Sequence, residues 1–212
     1  MSGDVKGSRV TRAEQARRTR RAIIDAAAAL FLERTYGGTT LAQVGKRAGV
    51  AVQTVYFHFG NKATLLKEAL DVAAVGDDEP VPLLERPWIR EIRGEQDPRR
   101  VVELWVAQGR MIAERVAPML ALVRGAMGTD PDLAAQWTVN EDQRRTAYRM
   151  LAGLLDDLGA LRPDLTVERA ADLAFLTGSM ENYILATTSL GWSPQRWQDA
   201  VATTHVATLL RP

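Results

Sequence analysis

Cysteine is absent from the 212 residues, which excludes disulfide scaffolds and thiolate chemistry and is compatible with a reducing cytoplasm. Histidine occurs twice, at His58 and His205, too far apart in the chain to give metal-ligand spacing. No apolar run is long enough to span a bilayer, and the N-terminus is polar and basic rather than signal-like. A cytoplasmic protein without membrane partners is therefore expected. Glycine-rich phosphate loops and nucleophile elbows are missing as well, so neither an enzyme nor a cofactor is expected. Convincing period-two alternation is missing too. The expected fold is all-α.

What is present is an ordinary globular balance, 46% hydrophobic and 25% charged residues. The net charge of +1 is unevenly spread. Residues 1–62 hold 11 Lys+Arg against 4 Asp+Glu, and the rest holds 16 against 22. A basic front on a mildly acidic body points to a polyanion partner for the front alone.

The chain is organised around residues 39–59, a short helix, a tight turn at Gly49 and a second short helix. Thr40 with Gln43 makes a capping-box pattern. Leu41, Val44 and Ala48 then share a face, and Gly49 suits a left-handed helix end. Val52 to Phe59 is rich in strand-forming residues, but helices flank it and no partner strand is visible, so context favours a helix. Ala51, ahead of it, offers no side-chain cap. Such a unit exposes the start of its second helix to a DNA major groove.

Before this unit, residues 1–10 are read as a disordered tail, and 1–16 as a basic tail with the start of the first helix. Thr11 with Glu14 opens that helix, arginines at 12, 17, 18, 20 and 21 crowd its first half, and Ile23, Ala26, Ala27, Leu30 and Phe31 form its apolar stripe. Beside a helix-turn-helix these arginines are expected to meet phosphates. Gly37-Gly38 is expected to end the helix. Asn61 caps a further helix with Leu65, Leu66, Ala69, Leu70 and Ala73 inward. Residues 78–97, interrupted by prolines, read as a linker with one short turn near Trp88.

From residue 98 to 212 the chain reads as a helical bundle, with proline at helical starts in Asp97-Pro98, Ala117-Pro118, Asp130-Pro131 and Ser193-Pro194. The expected helices run from Pro98, from Pro118, from Pro131 to Leu158, from Thr166 to Leu190 and from Pro194. With the N-terminal part this gives about nine helices. Bundles hold ligands between helices, and Trp105, Met111, Trp137, Met150 and Phe175 are the candidate pocket residues, with ordinary core filling the alternative for each.

Residues 17–77 resemble the DNA-binding domain of the TetR family of bacterial transcriptional regulators. The resemblance is carried by Thr39-Thr40-Leu41, Ala48-Gly49-Val50, Thr54-Val55-Tyr56-Phe57-His58-Phe59, Asn61-Lys62 and Leu65-Leu66. It implies a three-helix helix-turn-helix head, with its motif at 40–59, and a C-terminal effector-binding and dimerisation domain at 98–212. It also implies a homodimer on double-stranded operator DNA, acting as a repressor released by a small hydrophobic or amphipathic ligand that changes the spacing of the heads. Gln53 and Thr54 stand where side chains reach base edges. Tyr56, His58 and Lys62 look like phosphate contacts, and Thr40 caps its helix towards a phosphate. Val52 and Ala42 depart from the family by offering no polar group for base readout. The twofold seam is expected on the last two helices, near Leu173, Leu176, Tyr183, Trp197, Val201 and His205. The rival readings are a DNA-binding regulator whose second domain binds a protein or nothing, and an enzyme.

Overall fold

The computed structural model describes residues 11–77, 81, 83–128 and 130–212, so the tail at residues 1–10 lies outside the described part. The described residues are helical throughout, apart from loops and one isolated bridge between Leu161 and Leu210. The chain divides into two compact units after Ala69, earlier than the expected end of the head at residue 77.

The N-terminal unit holds α1 (Arg12–Arg34), α2 (Leu41–Ala48), α3 (Val52–Phe59) and the first part of α4 (Lys62–Val75). Both capping boxes form as expected: the Thr11 and Thr40 hydroxyls accept from the amides of Glu14 and Gln43, whose side chains accept in return from the cap amides. Ile23, Ile24, Ala27, Leu30 and Phe31 of α1 are buried, and Val44, Val55, Phe59, Leu65 and Leu66 are buried in the same unit. α1 ends at Arg34, and the turn after it runs through the expected Gly37-Gly38 stop, where a Cβ on Gly38 would lie 2.2 Å from the Arg34 carbonyl. Thr39 Oγ1 adds to this end by donating to the Leu30 and Thr35 carbonyls at 3.1 and 2.9 Å.

The second unit begins inside α4. Residues 78–80 and 82 of the expected linker lie outside the described part, but the rest of it is not a plain linker. It forms a single tight turn at Leu83–Glu85 and then α5 (Pro87–Gly94), whose Ile89 and Ile92 enter the core. α6 (Pro98–Ala126) runs straight through Pro118, the expected start of a new helix. The proline is exposed, as is Glu114, whose carbonyl loses its usual donor. The buried side runs on unbroken through Val116, Ala117, Met119, Leu120 and Val123, so packing carries the helix across.

α7 (Pro131–Asp157) ends before Gly159 as expected. The single helix expected from Thr166 to Leu190 is instead α8 (Val167–Thr177), then α9 (Met180–Ile184), then a wide turn over Leu185–Ser189 closed by Leu190 N–H donating to Leu185 O at 3.2 Å. Gly178-Ser179 makes the break. Ser179 Oγ caps α9 by accepting from Asn182 N–H at 3.2 Å. The Tyr148 hydroxyl donates to the Gly178 carbonyl at 2.7 Å, and a Cβ at Gly178 would stand 2.5 Å from that hydroxyl and 3.3 Å from His205 Cε1.

α10 (Pro194–Leu209) lays Trp197, Val201, His205 and Leu209 into the core of its own unit, where Trp197 meets Tyr183 edge-on at 5.2 Å. His205 is wholly buried: Nε2 lies 3.2 Å from the Ala174 carbonyl and 2.9 Å from Thr177 Oγ1, while Nδ1 is buried without a hydrogen-bond partner. Burial pulls its pKa down to about 4, against the opposing pull of the Ala174 carbonyl. A base whose folded pKa lies below its ordinary 6.5 contributes stability that is fully present above pH 6.5 and is lost as pH falls from there towards 4. The wild type should lose about 2 kcal/mol of unfolding free energy between pH 7 and pH 5. His205→Gln should flatten that slope in urea melts; an unchanged slope would assign the acid sensitivity to other groups.

Candidate functional site

The helix-turn-helix is built by close backbone approach. Gly49 adopts φ +71, and its N–H and that of Val50 donate back to the last carbonyls of α2, Val50 to Gly45 O at 2.9 Å. This is a Schellman-type end. The Val50 carbonyl then comes so near α2 that a Cβ on Gly45 would lie 3.0 Å from it and 3.4 Å from Val52 N. α3 starts at Val52 with no side-chain cap from Ala51, as the sequence implies. Val55 and Phe59 anchor it inward.

The opposite face of α3 presents Gln53, Tyr56 and Phe57 at i, i+3 and i+4, all exposed, with Tyr56 at 55% and Phe57 at 85%. Thr54 and His58 flank this stripe half-buried, and Thr40 is exposed at the start of α2. Phe57 is not among the expected contacts, although its spacing from Gln53 places it on the same face. An aromatic left this open on a short helix is an unusual use of apolar surface and marks a contact face.

Lys62 has an internal role that the sequence does not announce. Its ammonium donates to the Tyr36 and Thr39 carbonyls at 2.8 and 3.1 Å and stands 4.1 Å from the Tyr36 ring centroid. It ties the start of α4 to the loop after α1 while remaining half-buried. The arginines of α1 divide into two groups. Arg20 pairs with Glu68 and lies over the Phe59 ring at 5.5 Å, and Arg21 bonds Asp25 at 2.8 Å. Arg12, Arg17 and Arg18 are exposed.

In the C-terminal unit the five candidate pocket residues do not converge. Met111 is 41% exposed. The Met150 sulfur accepts from Arg93 at 3.3 Å. Trp105 is buried between Trp88 and Tyr148, with centroids at 6.3 and 5.7 Å. Trp137 and Phe175 are brought together, each with its ring against the Arg144 guanidinium. An open groove between α6 and α10, lined by Leu104, Ala107, Gln198 and Ala202 among others, includes none of the five. The expected seam also needs correction. Tyr183, Trp197, Val201 and His205 are buried within the single chain, because the stripe they form is the inward face of their own helices. Of that set, Leu173 is half-buried and Leu176 is 62% exposed.

Two substitutions test this local architecture. Gly45→Ala should cost the head about 1–3 kcal/mol by forcing α2 and α3 apart. Lys62→Met should cost a similar amount, about 1–3 kcal/mol, by leaving two carbonyls without their charged donor. Denaturant melts of the full chain would measure both. A Lys62→Met protein of full stability would leave this lysine with the surface role alone.

A family model described as bacterial regulatory proteins, tetR family, matches residues 23–69. The regulator TtgR of Pseudomonas putida is 45% identical over 58 residues, covering 27% of this chain and 28% of TtgR. The chain thus matches under a third of the length of that relative. AcrR of Shigella flexneri is 24% identical over 184 residues, 83% of each chain. Among solved structures, NalD of Pseudomonas aeruginosa, the secondary repressor of the MexAB-OprM multidrug efflux pump, superimposes with a TM-score of 0.72 at 24% identity, covering 93% of this chain and 98% of NalD. FadR of Bacillus subtilis, solved with stearoyl-CoA, gives 0.70 at 18% identity, covering 88% and 97%. At these identities the superpositions establish a shared fold.

Proposed function

We propose that the chain, whose residues 23–69 match the model of bacterial regulatory proteins, tetR family, is a sequence-specific DNA-binding transcriptional regulator of that family whose C-terminal unit binds a small molecule. The observation that carries this reading is the outward face of α3. It combines one amide, at Gln53, with two open aromatic side chains, on a helix fixed by Val55 and Phe59. Gln53 pairs bidentately with adenine, Thr54 and Phe57 lie against thymine methyls, and Tyr56, His58 and Thr40 bond phosphates. Arg12, Arg17 and Arg18 add sequence-independent attraction.

The working form is a twofold dimer that sets two copies of α3 about 34–36 Å apart, one turn of duplex. Its seam uses the outward faces of the last helices, where Leu176, Leu185 and Leu190 are exposed. A small hydrophobic or amphipathic ligand that binds one head spacing more tightly than the other releases the operator, which makes the regulator a repressor. Solved relatives of the same fold include a repressor and a complex with stearoyl-CoA, which supports a ligand-responsive reading. Among the described residues no helix is long and apolar enough to cross a membrane. Domain limits at 17–77 and 98–212 belong to the same proposal.

Selection of bound fragments from genomic DNA with the purified chain should yield twofold-symmetric sites. Gln53→Ala should cost about 1–3 kcal/mol on the selected site and almost nothing on random duplex. Light scattering should report a dimer. A monomer that binds selected and random duplexes alike would sink the proposal.

A further inference from the structure

The inward stripe of α7 is apolar in its second half, at Leu151 and Leu155, but its first half carries Trp137, Asn140, Arg144 and Tyr148. The side chain of Arg144 is only 13% exposed. Its Cζ stands 5.4 Å from the Trp137 ring centroid and 5.4 Å from that of Phe175. Its Nη1 and Nη2 donate to the Glu181 carboxylate at 3.1 and 3.4 Å, which engages the end of the guanidinium. The Nε–H on the side edge is buried without a hydrogen-bond partner, and one turn earlier so is Asn140 Oδ1.

A buried charged donor without an acceptor is costly, and a native structure retains one where something else meets it. The side edge of a guanidinium, Nε with one Nη, is a fork matched to a two-oxygen anion. Two guanidiniums stand at these rings, each with one carboxylate partner, Glu181 for Arg144 and Glu141 for Arg145. The Cζ of Arg145 lies 5.6 Å from the Phe175 centroid. Burial alone would raise the Glu181 carboxyl, but Arg144, then a backbone hydrogen bond at Glu181 itself and last Arg124 outweigh it and hold the group below its ordinary range. A cation entering between the two rings would have to evict Arg144 and face further guanidiniums. An anion meets those groups favourably.

We propose that Trp137, Asn140, Arg144 and Phe175 form the head-group subsite for an organic carboxylate with an aromatic or alkyl body, for which Glu181 is the internal competitor. The carboxylate takes the fork of Arg144, its body lies along the Trp137 and Phe175 rings, and Asn140 donates to it through its amide Nδ2, the only donor that side chain has. Glu181 sits on the five-residue α9, between the Gly178-Ser179 break and the wide turn, so its release shifts a short element rather than a long helix. The proposal rests on the C-terminal unit being the ligand-binding one.

The test uses the full chain, with tryptophan fluorescence and calorimetry. The probes are benzoate, 1-naphthoate and decanoate, each beside its primary amide and the corresponding amine. Carboxylates should bind at least about tenfold more tightly than their amides and amines, because only they fill a charged fork. Glu181→Gln should tighten carboxylate binding, Arg144→Met should abolish it, and Arg144→Lys, which keeps the charge but not the fork, should weaken it. Circular dichroism and melting of each variant confirm folding. Tighter binding of the amines, weaker carboxylate binding by Glu181→Gln, or no carboxylate binding by either wild type or Glu181→Gln would overturn the assignment. DNA binding is measured separately on the selected fragments. A chain that binds carboxylates in this pattern but ignores duplexes would leave the subsite standing and remove the regulator. One that binds its duplex but none of the probes would do the reverse.

Discussion

The contact between the Val50 carbonyl and the backbone of α2 at Gly45 is the constraint on which the head depends. It fixes how far apart the two short helices lie, and so which side chains of α3 turn outward. Each helix has only eight residues, too few to be stable alone. They persist because Val44, Val55 and Phe59 are buried within the unit and because the turn satisfies its own carbonyls. Lys62 reinforces the arrangement from below by holding the loop after α1 to the start of α4. The aromatic and amide stripe of α3 is therefore presented by a rigid support, as recognition of base edges requires.

The C-terminal unit is organised differently. Three helices meet where the Gly178 carbonyl receives the Tyr148 hydroxyl from α7 and His205 of α10 reaches the last turn of α8. Polar bonds inside an apolar core are rare and geometrically exacting. Here they fix the place at which α8 stops and α9 begins, and α9 in turn positions Glu181 against Arg144. The break in the helix and the polar cluster beside it thus belong to one arrangement.

Signals are legible in the sequence where the chemistry is local. The capping boxes at Thr11 and Thr40, the left-handed turn at Gly49, the cap at Asn61 and the all-helical character all follow from neighbouring residues. What the sequence conceals depends on a partner distant in the chain. Pro118 has the look of a helix start, yet it sits on the solvent side of α6 and packing on the other side overrides it. The stripe at Trp197, Val201 and His205 has the spacing of any buried face, and spacing does not say whether the covering surface belongs to the same chain. Lys62 reads as a surface cation because the carbonyls of Tyr36 and Thr39 are remote in sequence. Arg144 is hidden in a run of charges, Glu141 to Arg145, in which only the position of Phe175 and Glu181 shows which one turns inward. Phe57 is the opposite case. Its periodicity is visible, but an apolar ring between Val55 and Phe59 carries no local sign that it stays open.

Pro118 has one more implication. Without an N–H at this position, the carbonyl of Glu114 on the outer side of α6 must look to solvent for a donor. That side of the helix is therefore obliged to stay hydrated. Any surface that came to cover it, from another copy or another protein, would have to carry its own donor to this carbonyl. A purely greasy patch would strand it.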